Sequence, residues 1–413
     1  MRAVQKGRLE LNTTYRRVTE QRRIRRRRQV YVSILLLLLS AALYLAWARF
    51  SRQVSSDRAQ KSKSSIAGKQ AKPKKTSSTK KKKPAVSETP EEISVVAAGD
   101  ILFDRQVGSL VDNKGPDEPF RHVSPILSSG EIAIANLECP LSNKGTKLAE
   151  KDVTFRGRTA AAIGIKNSGI DVVSMANNHA LDCGPEALED TIALLDKNGI
   201  GHSGAGMNIK EAVKAAYFNA GEKKDKKVAF LAFSYLLPAG FCAGDQRPGI
   251  APARPDSELV TDAIKEARKK ADFVFCSFHW GIEYQDYPVQ YQIDLGRLCI
   301  DSGADLVLGQ HPHVIQGIEL YKKKLIVYSL GDFIFDHYSR KTGEAFILKC
   351  TVTQKKTLSA EMIPVYLASY GQPNVVGGAD ADSILGRLSQ ISQKFGTKMR
   401  IEQDKAFLEI PED

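Results

Sequence analysis

Four of the seven histidines, His179, His279, His311 and His313, stand at the ends of apolar runs. Beside them, at equivalent places, lie Asp100, Asn136, Glu138, Asn177, Asn178 and Asp332, with Asp182 three residues past His179 and Trp280 and Glu283 just past His279. Taken singly, each is ordinary: an aspartate often ends a strand, and Asn177-Asn178 is compatible with a turn. Together they form a set of imidazoles, carboxylates and amides that suits a divalent metal such as zinc, manganese or iron. The six cysteines contain no C-x-x-C pair, which argues against a closed structural zinc site. In His311-Pro312-His313 an extended backbone would aim both rings the same way, with Pro312 stiffening the segment. An acidic ligand such as Asp100 or Glu138 could bridge two ions, and such a clamp activates water against phosphoryl or acyl substrates.

The elements that must position these residues are short apolar runs. The runs 93–98, 132–135, 172–176, 273–278, 306–308 and 325–330 each stop at a polar residue of the set, as buried strands do when they deliver side chains at their carboxyl ends. A further strand is expected at 228–235. Helical patterns at 186–195, 257–270 and 291–301 alternate with them, and Pro185 and Gly199 bracket the first. Such alternation predicts an α/β fold with a largely parallel or mixed sheet. Segments 345–353 and 359–366 read as antiparallel strands that extend or cover it, and 383–395 as a last helix. Cys276 and Cys299 fall within apolar patterns as small buried residues, while Cys139 and Cys183 each follow a motif residue and could approach one another.

The net charge of +13 is unevenly spread. Residues 1–90 carry 24 Lys and Arg against 4 Asp and Glu, leaving 36 basic and 43 acidic residues in the body. This balance gives no support to a nucleic-acid-binding body. Segment 1–29 ends in an arginine cluster. Residues 30–48 carry no charge, and a helix of that length rises about 28 Å, one hydrocarbon thickness. The cluster predicts a single transmembrane anchor with a cytoplasmic N-terminus and the body outside. Ala46-Trp47-Ala48 resembles a leader-cleavage site, but the long preceding segment favours an uncleaved anchor. Residues 49–91, rich in Lys and Ser, read as a disordered stalk, either a spacer or an electrostatic track for an anionic polymer. Residues 92–413 form the external domain.

The order Gly99-Asp100, Asn136-Leu137-Glu138, Asn177-Asn178-His179, His279-Trp280-Gly281, His311-Pro312-His313 and Gly331-Asp332-Phe333 resembles the CapA family of capsule-synthesis proteins, which includes the PgsA component of poly-γ-glutamate synthesis. That family is a branch of the calcineurin-like metallophosphatase superfamily, and the resemblance runs from about residue 93 to about residue 370. It implies an α/β/β/α sandwich with one or two divalent ions at strand ends. Asp100, Glu138, Asn178, His279, His311 and His313 would then be ligands, with His179 acting on the leaving group or the attacked centre and Arg105 holding an anionic group. The family pattern is departed from at Leu102, where a histidine ligand is usual, at Glu138 and Asp332, which replace Asp and Asn, and at Gln310, which often is His. Three roles are implied. One is an accessory subunit working with other membrane subunits of a capsule or poly-γ-glutamate synthase and its anionic polymer. Another is an external metal-dependent hydrolase of phosphoesters or amides. The last is a non-catalytic scaffold, for which Leu102 speaks. Ligation itself is not expected of this chain, because it has no G-x-x-x-x-G-K-[ST] loop.

Overall fold

The computed structural model describes residues 91–411, except 221–224, 255–257, 337–338 and 368–370. All lie within the compact unit Val86–Asp413. The basic segment, the span 30–48 and nearly all of the stalk expected from the sequence fall outside the described residues. Among the described residues, no helix is long and apolar enough to cross a membrane.

Two mixed sheets carry the fold. In the first, strands Glu92–Ile101, Ile132–Leu137, Val172–Ser174 and Gly201–Ser203 run parallel side by side. Strands Glu344–Thr353 and Thr357–Leu367 extend it on the other side in antiparallel fashion, as the sequence predicts. In the second, Lys226–Ser234, Phe273–His279, Leu306–Gln310 and Lys324–Val327 are parallel neighbours.

The apolar runs are continuous because both faces of each central strand are covered. Along Glu92–Ile101, Ile93, Val95 and Ala97 face the second sheet, while Val96 and Ala98 face the outer helices. Phe273 and Phe275 pack between the sheets, and Val274, Cys276 and Phe278 pack outward. Helices Ala161–Asn167 and Pro185–Lys197 cover the first sheet. Glu258–Arg268 and Gln290–Ser302 cover the second, so the layers run helix, sheet, sheet, helix. Helix Gly378–Ser392 buries Ile384, Leu385 and Leu388 against the inter-sheet core.

One expected element divides. The run 325–330 is not a single strand: Lys324–Val327 belongs to the second sheet, and Asp332–Ile334 pairs with Glu92–Ile101 in the first. The chain crosses between sheets at 328–331. The crossing brings Gly331 against Gly99, where an added Cβ would lie 1.8 Å from the Gly331 carbonyl oxygen. Only glycine at 99 permits this approach.

All six cysteines are free. Cys139 Sγ accepts a hydrogen bond from the Phe103 N–H, and the Cys183 thiol donates to the Phe155 carbonyl, so each has its own partner and no disulfide joins them.

Candidate metal centre

The carboxyl ends of the central strands in both sheets meet at one place. Asp100 lies beside Asp332 in the pairing of strands Glu92–Ile101 and Asp332–Ile334. Asn136, on the neighbouring strand, donates from one amide to Asp100 Oδ1 at 2.8 Å and to Glu138 Oε2 at 2.5 Å. Asn177 donates to Asn136 Oδ1 and to the Leu137 carbonyl, and accepts from the His179 N–H. Asn136 and Asn177 thus brace the acidic groups from behind. From the second sheet, His279 Nε2 sits 2.8 Å from Asn178 Oδ1 and 3.4 Å from Glu138 Oε1. The His311 N–H donates to Asp100 Oδ2, and His313 Nδ1 lies 2.8 Å from Asp332 Oδ1.

The His-Pro-His segment reaches this arrangement differently from the extended form expected. His311 and His313 have φ of +97° and +57°, left-handed values for residues with side chains. Such backbone costs on the order of 1–3 kcal/mol per residue and persists where surrounding structure enforces it. The rings still converge, with centroids 5.8 Å apart.

Three groups of side chains have the reach to hold a cation: Asp100, Glu138 and His279; Asp100, His313 and Asp332; and Glu283, His311 and His313. The first is wholly buried, whereas Glu283 in the third is exposed. Three buried atoms here, Glu138 Oε1, His279 Nδ1 and His311 Nδ1, have no hydrogen-bond partner. Buried polar atoms rarely stay unsatisfied, so these donors fit an ion. Glu138 Oε1 approaches His279 Nε2 to 3.4 Å without forming a hydrogen bond.

The electrostatics agree. Burial, then the nearby Asp332, pushes the Asp100 carboxyl up to about 7. Burial, then Asp100, raises Glu138 well above the usual range. Burial depresses His279 and His311, and the neighbouring imidazoles add to the effect. Burial also opposes charge on His313, but Asp332, followed by Asp100 and Glu138, outweighs it and lifts the imidazole to about 10. A divalent cation would take the place of the protons that this crowding retains.

On the solvent side lies a cavity of about 330 Å³ lined by Arg105, Lys151, Phe155, His179, Glu283 and Tyr284, among others. Its floor includes Asn178, His313 and Asp332. His179 Nδ1 lies 2.6 Å from Asp182 Oδ2 and 3.0 Å from Lys151 Nζ, leaving Nε2 for a ligand. Lys151 also donates to the Asn178 carbonyl and to Asp182 Oδ1, both at 2.5 Å. Arg105 lies over the Phe155 ring, 4.7 Å from its centroid. A larger cleft of about 610 Å³ lies away from these groups, near His202 and Tyr217.

Of the residues singled out from the sequence, Trp280 is a correction. Its side chain turns into the outer core of the second sheet, stacks on Phe278, and donates from Nε1 to the Tyr328 carbonyl. Strand alternation decides this: Phe278 and Trp280 share the face opposite His279. Leu102 is fully buried in the apolar core beneath the first sheet. Lys151 was missed; a lone lysine in a polar loop has no spacing that marks it.

Fold and site define a two-sheet α/β protein with a candidate divalent-metal centre at the strand ends. The model for the family described as "Bacterial capsule synthesis protein PGA_cap" matches residues 94–337, and the chain belongs to this family. A capsule biosynthesis protein CapA of Bacillus anthracis is 30% identical over 309 residues, covering 74% of each chain. A PGA biosynthesis protein CapA of Bacillus subtilis is 32% identical over 274 residues, 66% of this chain and 71% of that one. A probable polyglutamine synthesis accessory protein of Mycobacterium tuberculosis is 26% identical over 295 residues, 68% of this chain and 77% of that one.

Proposed function

We propose that the protein is an accessory component of capsule or poly-γ-glutamate synthesis. In this reading residues 30–48 anchor it in the membrane, the body faces outward beside other synthase subunits and an anionic polymer, and the strand-end cluster holds one or two divalent ions. The observation that carries the metal-centre part is the trio of buried, partnerless donor atoms on Glu138, His279 and His311 within a carboxylate–imidazole set. Asp100, Glu138, Asn178, His279, His311 and His313 would hold the metal. Asp332 would stand in on the Asp100 side for the histidine that Leu102 replaces.

When bound, such an ion supplies Lewis-acid polarisation and water activation. The chain's own residues supply the rest. Asn136 fixes both carboxylates, and Asp182 and Lys151 orient His179 so that Nε2 can exchange a proton with a substrate. Arg105 stands at the cavity wall to orient a charged group.

The test is metal content of the purified full chain beside His313→Ala, with deletion of the gene and measurement of surface polymer. About one or two equivalents in the wild type, lost in the variant, are expected, together with loss of polymer. No metal after incubation with zinc and manganese would favour the scaffold role, for which the buried Leu102 speaks. Normal polymer after deletion would remove the capsule role.

A further inference from the structure

Eight described residues other than glycine have a left-handed φ. Lys322-Lys323 and Gln403-Asp404 are the two-residue turns of hairpins, where such backbone matches the twist of the flanking strands. Arg105 opens helix Arg105–Lys114, its N–H donating to the Asp104 side chain. Tyr284, His311 and His313 remain, and they adjoin one another. The Tyr284 N–H donates at 2.8 Å to the carbonyl of Pro312, the residue between the two histidines. Its ring centroid lies 6.1 Å from that of His313.

The histidine turn needs a brace. His311 precedes a proline, which favours extended backbone at that position, yet its φ is +97°. Strained backbone of this kind persists only where its surroundings hold it. Two of the holds come from the first sheet: the His311 N–H donates to Asp100 Oδ2, and His313 Nδ1 meets Asp332 Oδ1. Both carboxylates belong to groups with the reach to hold a cation, so an arriving ion competes for them. The bond from Tyr284 to Pro312 uses no atom of those groups, and it can persist with the centre filled.

The loop behind Tyr284 is fastened in turn. The Gln285 carbonyl accepts from Nε2 of buried Gln316 at 2.8 Å. Lys341 Nζ donates to the Tyr284 carbonyl at 3.2 Å and pairs with Asp286 at 2.9 Å. Arg387, on helix Gly378–Ser392, pairs with Asp286 at 3.1 Å and with Glu344 at 2.7 Å. Lys341, Glu344 and Arg387 all lie beyond residues 94–337, the part that the family model matches. We propose that Tyr284 is a positioning residue for the metal centre. Its left-handed peptide, clasped through Asp286 to Lys341 and Arg387, holds His311-Pro312-His313 in the strained turn that converges both imidazoles. The backbone N–H, not the phenol, is the part that acts. The C-terminal helix thereby supports the centre from outside the matched region. This rests on the metal-centre reading above.

The experiment measures the manganese affinity of the chelator-stripped full chain by calorimetry, with urea unfolding of each variant alongside. Tyr284→Gly and Tyr284→Val both lose the ring, but glycine adopts left-handed backbone freely and valine resists it. Tyr284→Val should bind manganese about 10-fold more weakly than Tyr284→Gly. With cobalt bound, the visible absorption of Tyr284→Val should also shift from the wild-type spectrum, as the imidazoles leave their setting. Asp286→Asn keeps the tyrosine but opens the clasp, and should bind manganese about 3-fold more weakly than the wild type. Asp301→Asn, which opens the exposed pair with Lys322 instead, should match the wild type. Equal affinity in the two Tyr284 variants, or weaker binding by Tyr284→Gly, would overturn the backbone role. Asp286→Asn binding as tightly as Asp301→Asn would overturn the clasp, and decides the proposal if Tyr284→Val does not fold. A wild-type chain that takes up neither manganese nor zinc would instead sink the metal-centre reading, and this inference with it.

Discussion

The first sheet brings carboxylates and amides to the site: Asp100, Asn136, Glu138, Asn178 and Asp332, with His179 beyond them. The second brings imidazoles: His279 at a strand end, and His311 and His313 just past another. Two of the three groups with the reach to hold a cation draw from both sheets, while the group containing exposed Glu283 draws on the second alone. The inner centre therefore exists only when the sheets are docked, whereas the outer group needs one sheet and its loop. Docking of the sandwich and assembly of the inner centre are one event.

The comparison can be broken at the place where the sheets are held together. Gly99→Val would drive side-chain atoms into the Gly331 backbone and should cost about 3 kcal/mol or more, read from urea unfolding. Next in size, Glu138→Ala and His279→Ala lie on different sheets yet should each reduce bound metal to background in elemental analysis. Retention of metal by one of them would assign the ion to a single sheet.

Acidity sharpens the same contrast. In the metal-free chain Asp100 is held at about 7 against an ordinary 3.8, so between those values the folded form keeps a proton that the unfolded form has released. Stability then falls as pH rises from about 4 to about 7. His313, lifted to about 10 from 6.5, is likewise favourable below its ordinary value and extends the loss as pH rises toward 10. Thermal melts in a chelator should show this decline. Added metal should remove the Asp100 part, because the ion competes with that proton.

A smaller effect is expected at the rim. Lys151→Met leaves Asp182 Oδ1 without its partner and should cost roughly 1–3 kcal/mol while metal content stays unchanged. Smallest of all, Trp280→Phe loses one hydrogen bond to Tyr328, about 1 kcal/mol, with metal content at the wild-type level. Loss of metal in that variant would return Trp280 to the site.

What could be read from the sequence followed from burial. Runs such as 273–278 and 306–308 are apolar on both faces because helices and the opposite sheet cover them, so their polar ends stand out. Asp100, Glu138, His279 and His311 were found that way. The crossing at 328–331 was hidden, since Tyr328, Ser329 and Leu330 continue the apolar pattern while the chain changes sheets. Left-handed backbone at His311 and His313 also leaves no trace in residue type, as neither is glycine. Trp280 was misplaced because adjacency to His279 along a strand means the opposite face.

Leu330 shows what the crossing entails. Its N–H donates to the Gly309 carbonyl of one sheet, and its carbonyl accepts from Phe346 N–H of the other. One peptide segment is thus laced into both hydrogen-bond ladders, next to the Asp100 amide bonded to Gly331. Neither ladder can fray at this point without disturbing its counterpart, so the two halves should open as a single cooperative unit in hydrogen exchange. Occupancy of the centre would then be felt as slower exchange at Phe346, a core amide with no ligand role of its own.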